Sequence, residues 1–322
     1  MELYPLKFEP ILKERLWGGT KLKDVFGKPI ASNITGESWE ISAVPGDVSM
    51  VSNGELKGRT LQELINAYKS DLLGKSVVER FGNRFPILIK FIDAKQDLSI
   101  QLHPNDELAK TRHNSFGKTE MWYIMDADPG AQLIVGFNKD VEKEEYKESF
   151  EKDTLLELLN YESVSEGDTY FINTGKIHAI GAGVLLAEIQ QTSDVTYRVF
   201  DFNRKDKNGN LRELHTEMAL DAIDYRKKDD FKVSYSNEKN RTNTMVDCPY
   251  FKTNTLILDR SYEQDISLRD SFTIFMCVNG EALVQNESGK VNLKNGETVL
   301  VPASSKKLKI TTDNVRLLEV TI

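Results

Sequence analysis

The sequence predicts a mainly β protein built around two similar barrels, and three observations point there. Most of the chain reads as short runs rich in β-branched and aromatic residues, broken by turns. Helical periodicity surfaces in only three places. A strand-turn-strand template occurs twice: "GDTYFINTGKIH" has the form G-x5-N-x-G-x2-H through Gly167, Asn173, Gly175 and His178, and "GETVLVPASSKK" has G-x5-P-x-S-x2-K through Gly296, Pro302, Ser304 and Lys307. The second copy carries lysine where the first carries histidine. The echo therefore predicts a first barrel with a metal site and a second without one.

The strand readings cover "ESWEISAVPGD" (37–47), "PILIKFIDA" (86–94), "EMWYIMDA" (120–127), "AQLIVGF" (131–137), "GDTYFINTGKIHAI" (167–180) and "VLLAEIQQTSDVTYRVFDF" (184–202). The first helix, "TLQELINAYKS", opens on a capping box of Thr60 and Glu63 and puts Leu61, Leu64, Ile65 and Tyr68 on one stripe. Residues 140–160 and "HTEMALDAIDY" (215–225) give the other two. A charge-dense stretch then leads into a final all-strand block. The expected division is 1–225 as a metal-binding catalytic unit with helical segments, 226–249 as a connection, and 250–322 as a metal-free β unit.

Composition narrows the function. A chain of 322 residues with net charge −8 does not suit nucleic acid or an anionic membrane surface, so any anionic ligand needs a local cluster of Arg and Lys. Two cysteines, Cys248 and Cys277, without CxxC spacing make neither a disulfide framework nor a thiolate zinc site. The charged N-terminus is not a signal peptide, and no apolar run approaches the roughly 20 residues that span a bilayer. A cytoplasmic protein is expected.

"LSIQLHPND" (98–106) carries the chemistry. Along this strand Ser99, Gln101 and His103 share one face and Leu98, Ile100 and Leu102 the other. A polar strand face is ordinarily a solvated face, but ligand-type residues recur at the starts of two further strands, as Glu120 and His178. The chain has only four histidines. Two imidazoles, a carboxylate and an amide oxygen suit Zn2+ in a catalytic site, with the weak ligand Gln101 leaving room for water or a substrate oxygen. His113, in a polar loop, and His215, near a helix start, are expected to be structural. Because imidazoles bind metal only when neutral, metal affinity should fall below about pH 6.5.

The strings "SIQLHPND", "GKTEMWYI", "GDTYFINTGKIHAIGAG" and "EIQQTSDVTYRVFDFNR", with "WGG" (17–19) and "GESWEIS" (36–42), resemble type I mannose-6-phosphate isomerases in their short bacterial form, over most of residues 1–225. The resemblance implies a double cupin, two β-barrel or jelly-roll domains with helical insertions. It implies one Zn2+ per chain on Gln101, His103, Glu120 and His178. Arg198 matches the family's catalytic arginine and Lys118 an active-site lysine. Ser99 and Arg204 fall at phosphate contacts, although longer members use lysine at the latter. Longer members also carry a histidine at Gly117, a departure that bears on any proton-transfer role there.

The implied reaction interconverts mannose 6-phosphate and fructose 6-phosphate through a cis-enediol. Arg198 would stabilise the enediolate. Lys118, a metal-bound water or Glu188 are the alternatives for the base. The partner is a small sugar phosphate, and the chain is a monomer or homodimer. Two rivals stand beside this: a metal-dependent oxygenase on the same ligands, and a non-catalytic sugar-binding protein that keeps the barrel. An oxygenase has no evident use for Arg198 and Lys118, and complete loss of function would not need all four ligand positions.

Overall fold

The computed structural model describes residues 2–206 and 208–322. Two antiparallel sheets face each other in the first half. The six-stranded sheet runs, edge to edge, Ile11–Gly19, Thr35–Ile41, Ile87–Ala94, Val184–Gln191, Glu120–Ala127 and Thr169–Ile172. The five-stranded sheet runs Tyr197–Phe200, Ile100–Leu102, His178–Ile180, Gln132–Phe137 and Leu159–Ser163. Ile87–Ala94 and Val184–Gln191 are buried along their whole length. That is the pattern of central strands packed on both faces.

The second half is one eight-stranded sheet in which the long strand Thr273–Asn286 pairs with Val315–Thr321, Lys307–Thr311, Gly289–Lys294 and Thr298–Val301. It begins at Thr242–Asp247, inside the stretch that reads as a connection. Its interior is filled by Leu256, Phe275, Cys277, Val284, Val299, Leu308 and Leu317. The mainly β, two-barrel architecture is thus present as the sequence predicts. The two halves of the internal echo take matching places: Thr169–Ile172 turns into His178–Ile180, and Thr298–Val301 into Lys307–Thr311.

Helices pack between the halves. Leu61–Tyr68 begins at the Thr60–Glu63 capping box and buries Leu61, Leu64 and Ile65. The short helices Ser70–Leu73 and Lys75–Phe81 continue that layer with Leu72, Leu73 and Val77. These residues join Leu6, Ile89, Met121, Phe272, Ile274 and Leu318 in one continuous core. Residues 140–160 give a helix over Lys143–Glu151 and a 3-10 turn over Leu155–Leu158, and 215–225 gives only Thr216–Leu220. The helix Asp106–His113 has no apolar stripe to announce it, since only Ala109 is buried. Its sequence signals are the Asn105 cap, acidic residues in the first turn and basic ones in the last.

One glycine decides where His178 sits. Gly175 has φ +81°, and a Cβ there would lie 2.6 Å from the Ala222 carbonyl oxygen. Its own N–H donates to the His103 carbonyl at 2.8 Å, so the turn is tied directly to the facing strand. Gly175→Ala is expected to cost about 1–3 kcal/mol for the backbone alone, to lower the thermal midpoint and to lower metal content. Calorimetry and metal analysis of the purified variant check both.

Candidate metal centre and catalytic cavity

Strand register assembles the site. On the five-stranded sheet His178 pairs with Gln101, and Gln101 with Arg198, so one cross-strand row carries an imidazole, an amide and a guanidinium. On the facing sheet Trp39 pairs with Lys90, Lys90 with Glu188 and Glu188 with Trp122. Directly paired residues share a face, and these two rows look at each other across a cavity of about 490 Å³. Its wall includes Ser99, Gln101, Lys118, Glu120, His178, Glu188 and Arg198.

At the floor, His103, Glu120 and His178 are each about 1% exposed, and one ligand atom from each lies within 4.8 Å of the others. His103 Nε2 is 3.2 Å from Glu120 Oε1, and His178 Nε2 is 3.9 Å from Glu120 Oε2. The other ring nitrogens are committed: His103 Nδ1 to the Val195 carbonyl at 3.0 Å and His178 Nδ1 to the Lys176 carbonyl at 2.8 Å. Each carbonyl takes the Nδ1 proton, which leaves the Nε2 lone pair facing inward. His103 Nε2, His178 Nε2 and both Glu120 oxygens are buried without a hydrogen-bond partner. Buried polar atoms of this kind are costly unless something else occupies the space between them.

Burial, then the Lys118 ammonium, pushes the His103 imidazole down to about 3. Burial also lowers His178. In Glu120, burial acts upward, and the neighbouring His103 ring and Lys118 ammonium outweigh it, holding the carboxyl below its ordinary range. The set is therefore two neutral imidazoles and a carboxylate, a donor set that suits a divalent cation.

Lys118 Nζ stands 3.4 Å from Glu120 Oε1. The loop that carries it is clamped from four sides. Gly117 N–H and the Gln191 amide both donate to Asp106 Oδ1, at 2.8 and 3.2 Å, and Tyr250 from the second half donates to Asp106 Oδ2 at 2.6 Å. Thr119 N–H donates to Gln191 Oε1 at 2.8 Å, and Ser193 Oγ–H to the Phe116 carbonyl at 2.9 Å. A Cβ at position 117 would sit 2.8 Å from the Asp106 nitrogen, so this loop path has no room for a side chain there.

Above the floor, Glu188 accepts from Lys90 Nζ and from Trp122 Nε1, both at 2.9 Å. Burial, then the Glu120 charge, raises its pKa. Lys90 also donates to Gln190 Oε1 at 2.6 Å. Arg198 donates from Nε to Ser99 Oγ at 3.3 Å and from Nη1 to the Glu213 carbonyl at 2.9 Å.

One expected phosphate-contact residue lies off this wall. Arg204 is not on the cavity wall; its guanidinium is spent on the Asp201 carboxylate and the Asp97 carbonyl. Arg212 lines the cavity instead, held by Asp201 at 2.6 Å through Nε. The other residues that sequence reading missed are Arg15, Trp17, Glu37, Trp39 and Lys90, all on the wall. The first four sit in the "WGG" and "GESWEIS" neighbourhoods, but only register shows that they face inward. His113 and His215 have structural partners, the Tyr197 hydroxyl and the Arg198 N–H.

Comparison with known proteins gives a consistent picture. Residues 5–132 match the profile "Phosphomannose isomerase type I, catalytic domain", and residues 241–322 match "Mannose-6-phosphate isomerase, cupin domain". The chain is 38% identical over 313 residues to mannose-6-phosphate isomerase ManA of Bacillus subtilis strain 168, covering 96% of each. It is 38% identical over 252 residues to the mannose-6-phosphate isomerase of Streptococcus mutans, covering 77% of each. A crystal structure of the mannose 6-phosphate isomerase from Bacillus subtilis superimposes with a TM-score of 0.90 at 34% identity, over 99% of this chain and 100% of that one. The fold, the match along nearly the whole chain and the shared domain profiles agree: this chain belongs to the type I phosphomannose isomerases.

Proposed function

We propose that the cavity interconverts D-mannose 6-phosphate and D-fructose 6-phosphate, with one Zn2+ held by Gln101, His103, Glu120 and His178. The observation that carries this is the knot of partnerless buried atoms, His103 Nε2, His178 Nε2 and both Glu120 oxygens, beneath a cavity rimmed by arginines. Nitrogen and oxygen donors without a thiolate fit zinc in a catalytic setting. When bound, Zn2+ supplies Lewis-acid polarisation of the sugar's oxygens.

The chain's own groups do the rest. Glu188 removes the proton from C2 of the open-chain aldose and delivers it to C1, while the O2 proton passes to O1 across the cis-enediolate, leaving the 2-ketose. Its raised pKa brings a carboxylate nearer the operating pH, where one group can both take and return a proton. Lys90 and Trp122 fix the direction in which it points. Arg198 stabilises the negative charge of the cis-enediolate and keeps its own proton throughout. Lys118, beside Glu120, holds a sugar hydroxyl. Ser99 and Arg212 take the phosphate, and Arg204 acts through Asp201, the carboxylate that both arginines share.

Chelation should abolish turnover of mannose 6-phosphate, and stoichiometric Zn2+ should restore it; full activity in metal-free protein would overturn the metal reading. Glu188→Gln should lower kcat by about 10²–10⁴-fold with metal content unchanged. Arg212→Ala should raise KM at least about tenfold, the loss of one charge-assisted contact, while Arg204→Ala should raise it less. An Arg204 effect larger than the Arg212 effect would return the phosphate role to Arg204.

Acid behaviour follows from the buried imidazoles. His103 stays neutral in the fold down to about pH 3, whereas unfolded histidines protonate near 6.5. Below 6.5 the unfolded chain binds more protons, so stability is complete above that pH and falls as pH drops toward the folded value. His103 alone accounts for about 1.4 kcal/mol per pH unit in that window. Metal retention follows the folded values, so the sequence-based expectation of a loss starting at about pH 6.5 moves to lower pH. Thermal midpoints of chelated protein between pH 6.5 and 5 should fall more steeply than those of His103→Gln, and the intact holoenzyme should keep its metal at pH 5.5.

A further inference from the structure

A second cavity, of about 560 Å³, opens beside the first and is separate from its metal floor. Its wall is largely apolar, from Val44, Pro45, Phe81, Phe85, Pro86 and Phe116, with Arg80 and Arg84 set into it. Ser193 and Asp194 belong to the walls of both cavities, and Asp194 is the sole acidic residue on the wall of the second.

Three polar groups on this wall, Arg80, Arg84 and Thr192, have no polar side-chain partner among the described residues. Among the described residues neither Arg80 nor Arg84 forms an ion pair; their recorded neighbours are ring faces. The Arg80 guanidinium carbon is 4.6 Å from the Phe81 ring centroid and 5.9 Å from that of Tyr250, and the Arg84 carbon is 5.5 Å from that of Phe116. Both arginine side chains are exposed, so the two guanidiniums are open to an incoming anion. The Thr192 hydroxyl, also on this wall, is buried without a hydrogen-bond partner. Phe116 is 42% exposed, a large aromatic face left open beside a cation.

We propose that this cavity binds a small molecule that carries both an aromatic or heteroaromatic ring and a phosphate. The ring lies against Phe116, Phe81 and the proline edges, where flat apolar surface is on offer. The phosphate takes the forks of Arg80 and Arg84, whose planar donors match its oxygens. Thr192 gains its missing partner from a polar atom of the ligand. The volume falls in the range of small-molecule sites, and a mostly apolar wall with a few convergent polar groups is their usual character. A sugar phosphate offers a puckered ring studded with hydroxyls in place of a flat aromatic face, so the site favours the aromatic ligand over the substrate of the neighbouring cavity.

The site borders the catalytic cavity without sharing its floor. The wall contains Phe116 and Ser193, which hold each other, and Gln191, which holds Thr119. These are the contacts that fix the Lys118 loop.

The test is calorimetric titration of the metal-loaded chain with phenyl phosphate and, separately, with adenosine 5′-monophosphate. Inorganic phosphate and adenosine serve as the halves of the ligand. At least one of the two ring phosphates should bind at one per chain with Kd below about 1 mM, roughly tenfold or more tighter than either half. Which of the two binds tighter separates a simple aryl phosphate from a nucleotide. The Arg80→Ala/Arg84→Ala double variant should weaken binding roughly tenfold or more and still turn over mannose 6-phosphate. Saturating fructose 6-phosphate should leave the ring phosphate's affinity within about twofold. Binding no tighter than inorganic phosphate, an unchanged affinity in the double variant, or displacement by the sugar phosphate would each overturn the proposal. Should the double variant fail to fold, Arg84→Gln carries the same comparison.

Discussion

The rest of the structure is arranged around one unpaid debt: two buried imidazole nitrogens and a buried carboxylate face each other with no hydrogen-bond partners. Each unsatisfied buried polar atom costs about 1–3 kcal/mol, and more where it is charged. Here four such atoms, two of them on one carboxylate, meet at one point. Every supporting feature keeps them where they are. The Val195 and Lys176 carbonyls fix the ring tautomers, the Gly175 turn delivers His178, and the Trp122 edge packs against the His178 ring at 5.4 Å. Outer contacts of this kind would orient the three side chains toward a metal ion.

The facing sheet solves a different problem. Lys90 and Glu188 are both buried, and an isolated buried ion pair of this kind seldom adds net stability. Here the pair is not isolated. Glu37 lies between the Lys90 charge and Arg15, and Gln190 and Trp122 supply further contacts. Burial acts to lower Lys90, and the carboxylates around it reverse that and raise it. Glu188 moves the other way because Glu120, the carboxylate of the metal knot, adds to the effect of burial. The two rows are therefore coupled: the charge state of the floor sets how readily Glu188 holds a proton.

How far the sequence foretold this depends on what kind of information each residue needs. The strands announced themselves through β-branched and aromatic runs, and the first helix through its cap and stripe. Gln101, His103, Glu120 and His178 stood out because ligand-type side chains are conspicuous at strand starts in a chain with four histidines. Lys90 lies in an otherwise apolar run and gives no signal until register sets it between Trp39 and Glu188. The strand Ile11–Gly19 was hidden because it is an edge strand with charges on its open side, so its pattern does not read as a core strand. Arg204 and Arg212 are alike in sequence and both donate to Asp201 Oδ1; Arg212 donates to Oδ2 as well, and of the two it is Arg212 that lines the cavity.

The internal echo shows how a single template can serve two ends. Gly167 and Gly296 both have positive φ, at +89° and +77°, and each leads into a buried strand, a turn and a second strand. In the first copy the second strand starts at buried His178. In the second it starts at Lys307, which is exposed and faces Asp265 across the strand pair. With no imidazole turned inward, the second barrel fills its interior with Phe275, Cys277, Leu293 and Leu308. Released from that task, it presents surface to the first half: Tyr250 reaches Asp106, and Arg316 donates to the Tyr123 hydroxyl at 3.0 Å. The barrel without a metal knot thus takes part in the site by holding the loop that carries Lys118, which a freely tethered domain would not do.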